Sequence, residues 1–87
     1  MPNPGMNYEI EFKPRALKDL KALPPTESSR IVAKAEALQN NLAGDVKRLT
    51  NFTPEYRLRV GNYRVLFEGE ESKVVIYRVR HRKDAYK

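Results

Sequence analysis

The pair Gly61-Asn62 separates two runs of alternating apolar and polar residues. Tyr56-Arg57-Leu58-Arg59-Val60 precedes it and Tyr63-Arg64-Val65-Leu66-Phe67 follows. A two-residue loop of this kind between alternating runs signals a β-hairpin, because its backbone twist matches that of the strands it joins. The turn dictates the register: Val60 pairs with Tyr63, Arg59 with Arg64, Leu58 with Val65, Arg57 with Leu66 and Tyr56 with Phe67. Cross-strand partners share a face. One face therefore reads Tyr56, Leu58, Val60, Tyr63, Val65 and Phe67, wholly apolar or aromatic, while the other reads Arg57, Arg59, Arg64, Leu66 and Glu68. A slip of one residue would mix the two sets, so turn and pattern support each other.

The apolar face needs a cover, and the first half of the chain supplies one. Residues 7–13 alternate, with Tyr8, Ile10 and Phe12 on one face, and predict a strand. Pro14 then suits the first turn of a helix, in which Ala16, Leu17, Leu20 and Leu23 keep helical spacing up to Pro24-Pro25. A second helix, capped near Thr26, carries Ile31, Val32, Ala35, Leu38 and Leu42 and is closed by Gly44. Residues 45–55 read as a connection, with Asn51, Thr53 and Pro54 as turn formers. A third C-terminal strand, 73–80, follows the predicted strands 56–60 and 63–68. A three-residue loop at Glu70-Glu71-Ser72 would pair Val65 with Tyr77 and set Arg64 opposite Arg78. Arg80 would lie on the same face, and so would Val74 and Ile76, which with Leu66 form an apolar patch there. The expected fold is α+β: an N-terminal strand, a two-helix hairpin, then a three-stranded antiparallel meander, forming one sheet with the helices packed on one face. The 87 residues predict one domain, 1–87, with residues 1–6 a disordered lead-in in which Met6 is an alternative start.

Charge falls on the same half as the hairpin. The chain has 17 basic and 11 acidic residues, a formal charge of +6. Eleven of the basic residues, against six acids, lie after Ala43. Such asymmetry points to a polyanionic or acidic partner. Arginines directly opposite one another destabilise a sheet, and broken local rules concentrate at functional sites. Arginine also presents a rigid fork matched to phosphate. Without cysteine and with His81 the sole histidine, disulfides, thiolate metal sites and multi-histidine metal sites are excluded. There is no signal-peptide pattern and no apolar run of membrane-spanning length. The expectation is a cytoplasmic protein with no membrane, metal or cofactor role.

Neither a carboxylate pair, a Ser/His/Asp set nor a glycine-rich phosphate loop is evident. Gly61 and Gly69 belong to hairpin turns rather than helix starts. What remains suits phosphodiester chemistry on RNA, whose own 2′-hydroxyl is the nucleophile. Such a site must stabilise extra negative charge, accept one proton and donate another. Arginines serve the first need. Tyr86 or a lysine among cations could act as base, and His81 or a cationic side chain as acid.

The run Tyr56 to Phe67, followed by Val74-Val75-Ile76-Tyr77-Arg78-Val79 and His81-Arg82-Lys83-Asp84-Ala85-Tyr86, resembles the RelE toxins of the RelE/ParE superfamily. The resemblance extends from about Tyr8 to the end and includes the Lys47-Arg48-Leu49 stretch. It implies the toxin of a type II toxin–antitoxin pair, an endoribonuclease that cuts messenger RNA in the ribosomal decoding site. The products would carry a 2′,3′-cyclic phosphate and a 5′-hydroxyl. It also implies a RelB-like antitoxin that covers the basic face. Matched position by position, the family's catalytic set falls on Arg57, Arg59, Arg64, Arg82 and Tyr86, with Lys47, Arg48, Arg78, Arg80, His81 and Lys83 as RNA-binding residues. This chain has arginines at the first two positions, where some members carry lysine, so the base assignment moves toward Tyr86 or stays open. It has Arg80 where glycine is frequent, and no helix beyond Tyr86. A second branch of the superfamily, the ParE-like toxins, inhibits DNA gyrase without cutting RNA. Joint retention of Arg59, Arg64, Arg82 and Tyr86 favours the nuclease.

Overall fold

Two prolines start the helices. In a computed structural model, described for residues 7–86, helix α1 spans Pro14–Lys21 and helix α2 spans Pro25–Glu36, each with proline in its first turn. Proline lacks an N–H, and none is needed there. A single 3₁₀ turn, Ala37–Gln39, follows α2. The strands are β1 (Glu9–Phe12), β2 (Val46–Arg48), β3 (Tyr56–Val60), β4 (Tyr63–Glu70) and β5 (Lys73–His81). They form one sheet in the order β1-β5-β4-β3-β2, in which β1 runs parallel to β5 and the other pairs are antiparallel. The expected α+β arrangement of strand, helical hairpin and meander is present. The lead-in expected at residues 1–6 lies outside the described residues. Among those, no helix is long and apolar enough to cross a membrane.

All five pairs expected between β3 and β4 are observed. The apolar face of this hairpin packs with α1 and α2 into one cluster that includes Leu20, Ile31, Ala35, Leu38, Leu58, Val65 and Phe67. Phe67, Ile31 and Leu38 are fully buried. Truncating Phe67 to alanine would remove about 3–5 kcal/mol, a large share of a small domain's stability.

Four sequence expectations are corrected. First, β4 and β5 turn through two residues, Glu70 pairing with Lys73, and the register then shifts between Leu66 and Phe67. Phe67 pairs with Ile76 but Leu66 with Arg78, so Tyr77 is an extra residue. Such a bulge reverses the faces on either side of it. Arg64 consequently opposes Arg80, not Arg78, and Val65 opposes Val79, not Tyr77. Second, the bulge places Val74 and Ile76 in the helix-covered core at 0% exposure. They are not the apolar patch on the arginine face that straight alternation from Arg78 implies. Third, β2 occupies part of the presumed connection, Lys47 pairing with Arg57. Fourth, α2 ends at Glu36 rather than near Gly44, and Pro24, not Thr26, is its N-cap. Asn41 and Leu42 both take left-handed backbone (φ 59° and 58°), and Leu42 packs on the core from that turn.

Where β1 stops, Asp19 of α1 continues the edge of β5. Its carboxylate accepts the Val79 N–H at 2.9 Å and a two-pronged contact from Arg78 at 2.8 and 3.2 Å. A strand N–H that would otherwise be open is satisfied by a side chain, which also protects the edge.

Candidate nucleic-acid interface

The face of the sheet turned away from the helices is built in rows. One row reads Lys47, Arg57, Leu66 and Arg78; the next reads Arg59, Arg64 and Arg80. The rows owe their alignment to the β3–β4 turn, where Gly61 takes φ 57°. Arg30 of α2 lies against Gly61, so a Cβ there would meet its guanidinium. Arg64 folds toward this turn and donates from Nη1 to the carbonyls of Gly61 and Tyr63, both at 3.0 Å. Its fork is thereby oriented by backbone acceptors, with its charge unneutralised.

Arg57 is held differently. Its side chain is 15% exposed and its Nη1 donates to the Asp45 carboxylate at 3.2 Å and to the Asp45 carbonyl at 2.9 Å. That carbonyl also accepts the Arg59 N–H at 3.0 Å, so Asp45 steadies the backbone of one arginine and the side chain of its neighbour. Arg48 pairs with Glu55 at 3.0 Å, and Arg78 is bound by Asp19. By contrast, Lys47, Arg59, Arg64, Arg80, Arg82 and Lys83 have no carboxylate in ion-pairing reach among the described residues.

The segment after β5 returns toward the hairpin. The Arg82 N–H donates to the Asn62 carbonyl at 2.8 Å, which seats this arginine beside the β3–β4 turn. His81 pairs with Tyr63, its ring edge-on at 5.6 Å, which puts it in register with the helix-covered face rather than the arginine rows. Its Nδ1 accepts the Lys83 N–H at 3.2 Å, leaving the ring hydrogen on Nε2. Tyr86 is 48% exposed and lines a groove of about 360 Å³ with Lys47, Arg48, Leu49, Thr50 and Phe52. The structure therefore joins Arg59, Arg64 and Arg80 in one row, adds Lys47 and Arg57 in the next, and brings Tyr86 to the Lys47-Arg48 corner. Sequence reading missed Asp45 and Phe52. Asp45 had no visible signal before β2 was known. An aromatic residue in a polar connection was the available signal for Phe52.

A larger groove of about 830 Å³ lies between the α1 start and residues 53–54, lined by Lys13, Arg15, Glu68, Glu70, Tyr77 and Arg78 among others. Among the described residues no group of three His, Asp or Glu side chains is placed to hold a metal ion.

A sheet with helices on one face and an arginine field on the other defines a small basic α+β fold, and comparison with known proteins assigns it to a family. Residues 10–86 match the model of the ParE toxin of type II toxin–antitoxin systems. The chain belongs to this RelE/ParE superfamily of toxins. It is similar to toxin RelE3 of Methanocaldococcus jannaschii, with 35% identity over 83 residues, covering 90% of this chain and 94% of that one. Among solved structures, the toxin–antitoxin complex RelBE2 of Mycobacterium tuberculosis contains a chain matching with a TM-score of 0.80 at 29% identity, covering 97% of this chain and 100% of that chain. The RelB–RelE complex of Methanococcus jannaschii gives 0.71 at 36%, covering 87% and 94%.

Proposed function

We propose that this toxin is an endoribonuclease that cuts messenger RNA positioned in the ribosomal decoding site, and that a RelB-like antitoxin silences it. The observation that carries this reading is the in-register row Arg59–Arg64–Arg80, three like charges side by side with no carboxylate against them among the described residues. Such a row disfavours the folded sheet and favours a bound polyanion. The RelE names of similar toxins point the same way, and the RelB–RelE complexes among similar structures support the antitoxin.

In the proposed reaction the RNA 2′-hydroxyl attacks the adjacent phosphorus in line, the 5′-oxygen leaves, and a 2′,3′-cyclic phosphate and a 5′-hydroxyl result. Arg64 and Arg82 stabilise the charge that develops on phosphorus, and Arg57 and Arg59 hold the phosphate and its neighbours. Tyr86 orients or deprotonates the 2′-hydroxyl. Lys47, Arg80 and Lys83 bind flanking RNA with side chains that meet no carboxylate among the described residues, whereas Arg48 and Arg78 are held by Glu55 and Asp19 and serve the fold. His81 contributes Nε2–H from the rim.

Induced expression tests the reading. Translation should stop, with messenger RNA cut at ribosome-bound codons. DNA damage with intact messenger RNA would instead establish the gyrase-poisoning alternative. Arg64→Ala should bind ribosomes nearly as well as the parent but cut about 10²–10³ more slowly, the usual effect of losing one transition-state donor. Undiminished toxicity of that variant would refute the assigned site.

A further inference from the structure

Residues 49–55, between β2 and β3, form a loop closed at its neck. The Leu49 N–H donates to the Glu55 carbonyl at 2.6 Å, and the Arg48 guanidinium reaches the Glu55 carboxylate at 3.0 Å. The Glu55 N–H in turn donates to Glu68 Oε2 at 2.8 Å, tying the neck to β4. Asn51, with φ 55°, turns the chain inside the loop. The loop presents Phe52, whose ring meets that of Tyr86 edge to face, centroids 5.4 Å apart at 89°. Both rings line the groove that contains Lys47 and Arg48.

Tyr86 needs such a support. It lies beyond β5, in a segment seated by Arg82 on the Asn62 carbonyl and by the buried Ala85. Neither contact sets the direction of the Tyr86 ring, which is about half exposed. A ring fixed by a perpendicular neighbour keeps its hydroxyl in one region, because edge-to-face packing has a defined geometry.

We infer that Phe52 is a positioning residue: the stapled loop holds its ring against Tyr86 and so places the tyrosine hydroxyl over the basic groove. This deepens the nuclease reading and rests on it for its effect on catalysis. The arrangement also explains the Arg48–Glu55–Glu68 network, which holds the loop rather than the RNA.

The test uses the full-length toxin with programmed ribosomes. Phe52→Leu keeps apolar bulk and loses the ring, whereas Phe52→Tyr keeps the ring. The expected result for Phe52→Leu is a fall in kcat of about 2- to 10-fold, the range of one aromatic pair, with KM unchanged and Phe52→Tyr restoring the rate. In a Tyr86→Ala background Phe52→Leu should cost nothing more, because its partner is gone. Additive losses in the double variant, or an undiminished rate in Phe52→Leu, overturn the inference. A parent toxin that cuts no RNA refutes the nuclease reading separately. The placement is then decided by NMR: Phe52→Leu should shift the Tyr86 ring resonances, and unchanged resonances overturn it.

Discussion

At the β1 edge of the sheet, Lys13 and Lys73 meet Glu11, and Arg15 and Arg78 meet Asp19. Beside the β3–β4 turn, Arg59, Arg64, Arg80 and Arg82 meet no carboxylate among the described residues. The same residue types thus serve two purposes within one sheet. At the edge, Lys73 joins β5 to β1 and Arg78 joins β5 to α1, and their charge is spent inside the fold. Near the turn, backbone carbonyls orient the Arg64 guanidinium without neutralising it, and backbone hydrogen bonds seat Arg59 and Arg82, so that the charge of this group remains available to a ligand. An arginine's role is therefore read from its neighbours rather than from its position in a basic stretch.

This contrast can be broken experimentally. The largest effect is expected at the turn. Arg59→Ala should lower kcat/KM for RNA cleavage about 10- to 100-fold, the worth of one charge-assisted hydrogen bond, while its thermal midpoint holds or rises because a like-charge pair with Arg64 is relieved. A fall in midpoint would show that the row supports the fold.

Asp19→Ala should do the reverse. It strands the Val79 N–H and leaves Arg78 unpaired, removing about 2–3 kcal/mol of stability, measured by denaturant unfolding. The kcat of the folded fraction should be unchanged. A specific loss of kcat would move Arg78 back into the RNA-handling set.

Lys47→Ala should weaken RNA binding almost equally across sequences and reduce the salt slope by roughly 0.7, one phosphate contact on a single strand. An unaltered slope would remove Lys47 from the interface.

The smallest effect belongs to Glu11 and Lys73. Their contact at 3.0 Å holds the Glu11 carboxyl below its ordinary value and Lys73 above its own. For Glu11 the stabilisation is present above the unfolded-state value and is lost as pH falls through the lowered folded-state value. For Lys73 it is complete below the unfolded-state value and is lost as pH rises through the raised one. Glu11→Gln should therefore differ from the parent most between these limits and converge with it in strong acid. Parallel stability curves throughout would dismiss the pair.

The β3–β4 hairpin was legible because Gly61-Asn62 and strict alternation specify one register by independent means. The β4–β5 register was not, because a bulge adds a residue that period-two reasoning has no means of seeing. Counting from Arg78 placed Ile76 outside, although it is fully buried. Strand β2 was illegible for another reason: three residues have no pattern of their own, and Val46–Arg48 becomes a strand only through β3. For the candidate site, Arg59 opposite Arg64 followed from the turn. That Arg80 completes the row, and that Asp19 occupies Arg78, depend on the bulge and on α1 and required the fold.

The parallel pairing of β1 with β5 also bears on how the molecule assembles. Glu9 meets Lys73, and β5 thereby gains one of its two neighbours through a contact that spans most of the chain. Hairpins close in roughly 1–10 μs, whereas pairings distant in sequence must first overcome the entropy of a long loop. The β3–β4 hairpin can accordingly form while β5 is still unplaced, with Arg59 and Arg64 already opposed. Arg80 joins them only when β5 docks on β4. That docking is itself a hairpin with a two-residue turn, so the arginine row can be assembled strand by strand from local pairings, while the long-range β1–β5 closure completes the sheet behind it.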